Sequence, residues 1–359
     1  MKQRKKAHRA MVMLFICAFL GTMFLAGCGG SNTAPAQDSG TQAPSEQTNP
    51  VAGKTITFIV PYSPGGGFDT YARLMAPFLA KETDATVVVQ NVPGGGSIIG
   101  TNKLYESPAD GTAIGILGGA NIVFAQTSGA DGVVFDAAKF NYLGRVSADP
   151  SVLIASTKKQ FKSVKDFQDA QGEIKTACTG VGEDDFYTTS VIFKAFDITN
   201  YKIVTGWEGT SQWLAAVAAG EIDGGQISLS SALAPIENKF AVPLLIVAPE
   251  RNPRLPDVPT AIELLSPGEN RDMVETLTNI LVADRIITMP PGADPAVVEF
   301  MRAAIGKVLN NPEFLDQAKK AERDVLYLPG ADVQSAVEKA MESAQALKPI
   351  FDEAVKKAK

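Results

Sequence analysis

Three times in this chain a short apolar run ends in a cluster of glycines and opens into a helix-like stretch. The first runs from Ile56 to Val60, then through Pro61-Tyr62-Ser63-Pro64-Gly65-Gly66-Gly67 toward Tyr71-Ala72-Arg73. The second is Asn91-Val92-Pro93-Gly94-Gly95-Gly96-Ser97-Ile98-Ile99-Gly100, and the third is Cys178-Thr179-Gly180-Val181-Gly182-Glu183-Asp184-Asp185. A strand that turns on glycine into a helix gathers backbone N–H groups at the positive end of a helix dipole. Glycine lets a ligand approach the backbone because no Cβ intervenes. Such a turn can be a phosphate cradle, a loop of a binding cleft, or a tight cap. The phosphate motifs fail on spacing. No lysine follows any of these glycines, so a Walker loop is absent, and a dinucleotide fingerprint would need glycine where Ile99 and Asp185 stand.

The same alternation runs through the body of the chain. Apolar runs predict strands over 55–60, 86–90, 113–117, 152–155, 174–177, 202–204, 225–229, 244–247 and 285–289. Helices are predicted over 69–80, 97–104, 164–170, 184–196, 209–219, 294–309, 312–320 and 331–356. Strands alternating with helices argue for an α/β fold with largely parallel sheets. The runs 152–155 and 244–247 bracket a middle section, and can carry the chain between two lobes.

The N-terminus reads as an export signal. Lys2, Arg4, Lys5, Lys6 and Arg9 precede an apolar run that ends in Leu25-Ala26-Gly27-Cys28. Small residues before a cysteine resemble the lipobox of bacterial lipoproteins, which implies cleavage after Gly27 and a lipid on Cys28. The following segment is rich in Gly, Ser, Thr, Ala, Pro and Gln and cannot bury enough surface to fold. It reads as a tether with a reach of roughly 25 Å, and the folded body is expected to start near Lys54.

Loss of the signal removes five basic residues and no acidic ones. The formal charge then moves from −6 to about −11. An acidic chain without a basic cluster is a poor partner for nucleic acid. The sole histidine, His8, lies in the signal. A Ser-His-Asp triad and a histidine metal site are therefore excluded from the mature chain. Of three cysteines, only Cys178 stays free, so no internal disulfide is possible.

The residues at the glycine loops resemble a known family. "VPYSPGGGFDTYAR", "QNVPGGGSIIGTNKL", "SPADGTAIGIL", "RLPDVPTAIEL" and "MPPGADPAVVEFMRAAIGKVLNNPEF" occur in that order. Together they are similar to the motifs of the substrate-binding proteins of tripartite tricarboxylate transporters, the Bug receptors. The resemblance covers nearly all of the chain from Lys54 onward. It implies a two-lobed periplasmic-binding-protein fold, each lobe a mainly parallel sheet flanked by helices. The implied division is 1–27 signal, 28–53 lipid anchor and tether, 54–152 with 247–359 as one lobe, and 153–246 as the other. It further implies a monomeric receptor, anchored at the outer face of the cytoplasmic membrane or held in the periplasm. Such a receptor closes on a small carboxylate and delivers it to a permease of one large and one small subunit. No cofactor, metal or catalytic residue is implied. By motif match the ligand meets Tyr62, Ser63, Gly65 and Gly66 of the first loop, Gly119 and Asn121, and Cys178, Thr179 and Gly182 of the third.

The sequence departs from the family pattern after Gly182. Glu183, Asp184 and Asp185 stand where a serine and a histidine are common, and Thr205-Gly206-Trp207-Glu208-Gly209 replaces a Pro-Tyr-Lys/Arg-Gly segment. If Glu183 or Glu208 faces the cleft, a di- or tricarboxylate is repelled. An amide, an amino acid or an aromatic ligand on Trp207 then fits better. Alternatively, Asp184 and Asp185 face water at a helix N-terminus, and Trp207 is packing. Two other functions fit less well: an exported hydrolase using acids among Asp69, Asp223 and Glu183, or a ligand-presenting partner of a sensor kinase.

Overall fold

The computed structural model describes residues 49–207 and 209–358. The export signal, Cys28 and nearly all of the expected tether lie outside the described residues, as does Glu208. Among the described residues, those before Lys54 already pack against the body. The Asn49 amide donates to the Thr83 carbonyl at 2.7 Å, and Val51 is fully buried. Among the described residues no helix is long and apolar enough to cross a membrane.

The strands are β1 (Thr55–Val60), β2 (Thr86–Asn91), β3 (Ala113–Leu117), β4 (Asn141–Arg145), β5 (Ser151–Ser156), β6 (Ile174–Ala177), β7 (Tyr201–Val204), β8 (Gly224–Ser228), β9 (Ala241–Val247), β10 (Ile286–Met289) and β11 (Leu328–Pro329). The helices are α1 (Gly67–Thr83), α2 (Ile98–Tyr105), α3 (Gly119–Ser128), α4 (Val164–Gln168), α5 (Asp184–Ala195), α6 (Thr210–Ala219), α7 (Leu229–Glu237), α8 (Glu269–Leu281), α9 (Pro295–Leu309), α10 (Pro312–Lys320) and α11 (Gly330–Ala358). Two sheets result, in the orders β11-β4-β10-β3-β1-β2 and β7-β6-β8-β5-β9.

The expectation of mainly parallel sheets is corrected to mixed sheets. β1 pairs in parallel with β2 and β3, and β6 with β7 and β8. The antiparallel pairs are β10 with β3 and β4, β11 with β4, and β5 with β8 and β9. All of these involve β4, β5, β9 or β10, the strands that lead the chain out of one sheet or into the other. One end of each sheet, β1 to β3 and β6 to β8, comes from βαβ crossovers, which give parallel neighbours. A chain that leaves for the other sheet and returns is free of that constraint.

Apolar stripes bury the helices. Met301, Ile305 and Val308 of α9 and Phe314 of α10 pack with Tyr71 and Met75 of α1 on one face of the first sheet, over Phe58 and Ile287. On the other face, α11 buries Val333, Val337, Ala340, Ala344, Leu347 and Phe351 at three- and four-residue steps. Phe351 reaches Phe124 of α3, with ring centres at 5.1 Å, and Tyr187 of α5, at 4.7 Å. The C-terminal helix thus ties the first sheet to a helix of the second.

Gly119, expected at the ligand, starts α3 in tight packing. A Cβ there would lie 1.8 Å from the Ala283 carbonyl oxygen. Since the obstacle is backbone, a side-chain shift cannot relieve it. Gly119→Ala is expected to cost about 1–3 kcal/mol of stability, the usual penalty of overpacking. Urea denaturation measures it, and an unchanged midpoint would show that α3 can move away freely.

Candidate functional site

Loops that follow β1, β4, β6, β7 and β8 meet at one cavity of about 80 Å³. This is the place where open α/β sheets offer their helix N-termini. Gly66, Gly67 and Phe68 bring the start of α1, and Glu183, Asp184 and Asp185 the start of α5. Gly209, Thr210 and Ser211 bring the start of α6, and Ser228 and Ser231 that of α7. None of these four helices has a side-chain cap at its N-cap residue. Their dipoles converge on one small volume, though the first two N–H groups of α7 are already taken, by the Pro150 carbonyl at 2.8 Å and the Asp149 carboxylate at 3.2 Å.

The first loop is held from behind. Asp69 is buried and accepts from Gly65 N–H, Arg73 Nε and Asn91 Nδ2, each at 2.9 Å. Burial pushes its carboxyl up, but Arg73, the Gly65 amide and Asn91 outweigh it and keep the acid below the usual range. Asp69 is thus a clamp on the loop. Gly65, at φ +90°, has spent its N–H on this clamp and does not line the cavity. Tyr62, Ser63 and Gly66 do line it.

Glu183 crosses between the lobes. Its Oε2 accepts from Tyr62 Oη at 3.1 Å and from Asn121 Nδ2, while Asn121 also donates to Tyr62 Oη at 2.6 Å. Asn121 is buried behind Tyr62 and acts as its support rather than as a cavity wall. Tyr62 also stacks on Phe68, with centroids 4.5 Å apart. Beside this bridge the second and third glycine loops touch. Cβ atoms on Gly180 and Gly182 would come within 2.9 Å of Gly96 Cα and 2.8 Å of its carbonyl oxygen. Gly182 is therefore required by loop-to-loop contact and does not line the cavity.

Thr179 lines the cavity and donates from its N–H to Asp185 at 3.1 Å. Cys178 does not face it. The thiol is fully buried and turned toward the Gly180 carbonyl at 3.8 Å, and burial raises its pKa well above the ordinary value. Its expected ligand contact is corrected to core packing. Trp207 lines a larger adjoining cavity of about 420 Å³ with Gly94, Gly95 and Gly96, which shares Tyr62 and Thr179 with the first, and its indole N–H donates to Val204. Asp223 is held by Lys159 at 3.0 Å and the Lys175 amide at 2.8 Å, and does not line this cavity.

Sequence reasoning missed the opposite wall. Arg285 is 2% exposed and lines the cavity with Asp149, Ser151, Gln226, Ser228 and Asp284. Its Nη1 reaches Asp149 and Asp284, both at 3.0 Å, and its Nη2 reaches Ser228 at 3.0 Å. The guanidinium also lies 5.2 Å from the centre of the Phe68 ring and 5.4 Å from that of Tyr71. The signal was the pair Asp284-Arg285 at the mouth of an apolar run, which passed as the polar end of a strand.

The acids of the cavity are costly to ionise. Burial pushes the Glu183, Asp184 and Asp185 carboxyls up, and Asp185 and Asp184 repel Glu183 further. Burial also pushes Asp284 up to about 7, against the pull of Arg285. An acid whose folded pKa exceeds its unfolded one binds more protons folded than unfolded, so stability falls as pH rises between the two values. Ligand-free protein is expected to lose at least about 1 kcal/mol between about pH 4 and 7, since a tenfold change in proton affinity is worth about 1.4 kcal/mol. Glu183→Gln is expected to flatten that fall and to raise neutral-pH stability. Urea denaturation across this range tests it, and a stability that climbs with pH would contradict it.

The family described as tripartite tricarboxylate transporter family receptor matches residues 71–354. Protein BugT of Bordetella pertussis is 26% identical over 271 residues, 72% of this chain and 77% of its own length. The solved periplasmic binding protein BugD is similar with a TM-score of 0.71 at 20% identity, over 83% of this chain and 97% of that one. MatC of Rhodopseudomonas palustris, solved with bound malate, is similar at 0.68 and 20% identity, over 84% and 99%. These likenesses give the fold, that of the two-lobed periplasmic binding proteins. With about four-fifths of its length inside the family match, the chain belongs to the tripartite tricarboxylate transporter family receptors, which are solute-binding proteins and not enzymes.

Proposed function

We propose that this protein is an exported receptor that closes on a small organic acid or related solute and hands it to a membrane permease of one large and one small subunit. In this reading it works as a monomer held at the cell envelope by a lipid on Cys28. The observation that carries the reading is the convergence of four helix N-termini, from loops of both sheets, on one small cavity. Such an arrangement holds a carboxylate by backbone N–H groups and dipoles without a free arginine. The malate seen in MatC fits the same chemistry. A bridge from Tyr62 to Glu183 and the contact of Gly96 with Gly180 and Gly182 suit a cleft that shuts by moving two lobes together.

Gly66 offers a clean test. Its backbone, at φ −80° and ψ 176°, is extended and suits valine, and a Cβ would meet nothing closer than the Ser63 carbonyl at 3.9 Å. Gly66→Val is therefore expected to leave folding intact while its methyls occupy the edge of the cavity. Affinity for a solute found by thermal-shift screening of mono- and dicarboxylates and amino acids is expected to drop at least about tenfold, a loss of about 1.4 kcal/mol. Unchanged affinity in isothermal titration would take the first loop out of the site.

A further inference from the structure

The charges that line the cavity do not suit a dianion. Five carboxylates face it, on Asp149, Glu183, Asp184, Asp185 and Asp284, against the single guanidinium of Arg285. Arg285 is already committed to Asp149 and Asp284. Among the described residues no ion pair reaches Glu183, Asp184 or Asp185. The three acids sit at the N-terminus of α5, where a bound anion would otherwise go.

A second observation points the same way. Glu183 is 2% exposed, and its Oε1 has no hydrogen-bond partner, as is also true of Asp185 Oδ1. Buried acceptors left open in this way call for a donor. On the other wall of the cavity Gln226 is fully buried, its Oε1 accepting from Ser151 at 2.8 Å and its Nε2 without an acceptor. The walls of the cavity thus hold buried, unpartnered acceptors on one side and a buried, unpartnered donor on the other.

We infer that the solute is a zwitterion: its cationic nitrogen is bound by Glu183 and Asp185, and its carboxylate lies toward Gln226 and the starts of α1 and α6. The inference rests on the receptor reading above and narrows its ligand. An ammonium donates to Glu183 Oε1 and Asp185 Oδ1 and supplies the missing positive charge. A dicarboxylate of the same length would place a second anion against three acids that share only Arg285, a cation already paired with Asp149 and Asp284. Like charges brought together in a buried site repel strongly, so the discrimination is large.

Matched probes separate these cases. The full chain, purified in detergent, is titrated calorimetrically with succinate and 4-aminobutanoate, and with adipate and 6-aminohexanoate. Within each pair one carboxylate is exchanged for an aminomethyl group. At least one amino acid is expected to bind about tenfold or more tightly than its dicarboxylate partner. Glu183→Gln and Asp185→Asn are each expected to reduce that preference to less than about threefold, since each removes one charge that favours the ammonium. Circular dichroism confirms that each variant is folded, and either one suffices for the test. Dicarboxylates binding as well as or better than their partners would overturn the inference and leave the receptor reading standing. A preference that survives in a folded variant would overturn the assignment to these acids. Absence of binding by all four probes would overturn both the inference and the small-acid receptor reading.

Discussion

The site depends on one buried cation. Arg285 sits between the end of α8 and the start of β10, yet its guanidinium reaches Asp149, on the connection from β4 to β5, and Ser228, at the end of β8. It therefore links the strand that returns the chain to the first sheet with a strand of the second. Burial alone would lower the pKa of such a group. Asp284 and Asp149 overcome that and hold Arg285 protonated. The cost appears on Asp284, whose carboxyl is pushed up to about 7 by burial, against the pull of Arg285 and with added repulsion from Asp184 and Asp149. The backbone at Arg285 is left-handed, at φ +40°, a conformation that costs of order 1–3 kcal/mol outside glycine. Strain of that size persists only where surrounding bonds fix the residue, and three polar contacts and two aromatic faces do so here.

Glycine serves two separate ends in the three loops. At Gly66 and Gly67 it opens space beside the cavity. At Gly96, Gly180 and Gly182 it lets two backbones from different sheets touch, since a Cβ on any of the three would come within 3.0 Å of the facing loop. Sequence alone could not distinguish these roles, because both demand a missing side chain. The distinction matters for reading motifs. A glycine that admits a ligand and a glycine that admits another loop look the same until the partner is located.

Much of the fold was legible where burial has a period. The α9 and α11 stripes and the apolar runs of β1 and β3 gave elements within a few residues of their observed ends. α3 was not legible, because Gly119 to Ala125 is buried on every side and shows no polar face. β4 carries a glycine inside a five-residue strand, and its pairing depends on partners far along the chain. α8 did carry a stripe, at Val274, Leu277 and Ile280, that periodicity supports. At the site, the first loop and Glu183 were readable as local motifs. Asp149, Gln226 and Arg285 were not, since each lies in an ordinary local context and acquires meaning only when the sheets meet.

The acids at the start of α5 show how context reverses a rule. On a surface helix, first-turn acids gain about 0.3–1 kcal/mol each from the dipole. Here Glu183 is enclosed beside Asp184 and Asp185, and desolvation costs several kcal/mol per ion. Burial outweighs the dipole, so all three carboxyls are pushed upward and ionising them together is electrostatically unfavourable. The Tyr62 and Asn121 bonds to Glu183 offset part of that cost, and only when the lobes are together. A ligand ammonium would offset much of the remainder at the same place. Ligand charge and lobe closure are then coupled through one carboxylate. A solute of the wrong charge fails to relieve Glu183, and so fails to favour the closed form, whatever contacts it makes with the glycine loop.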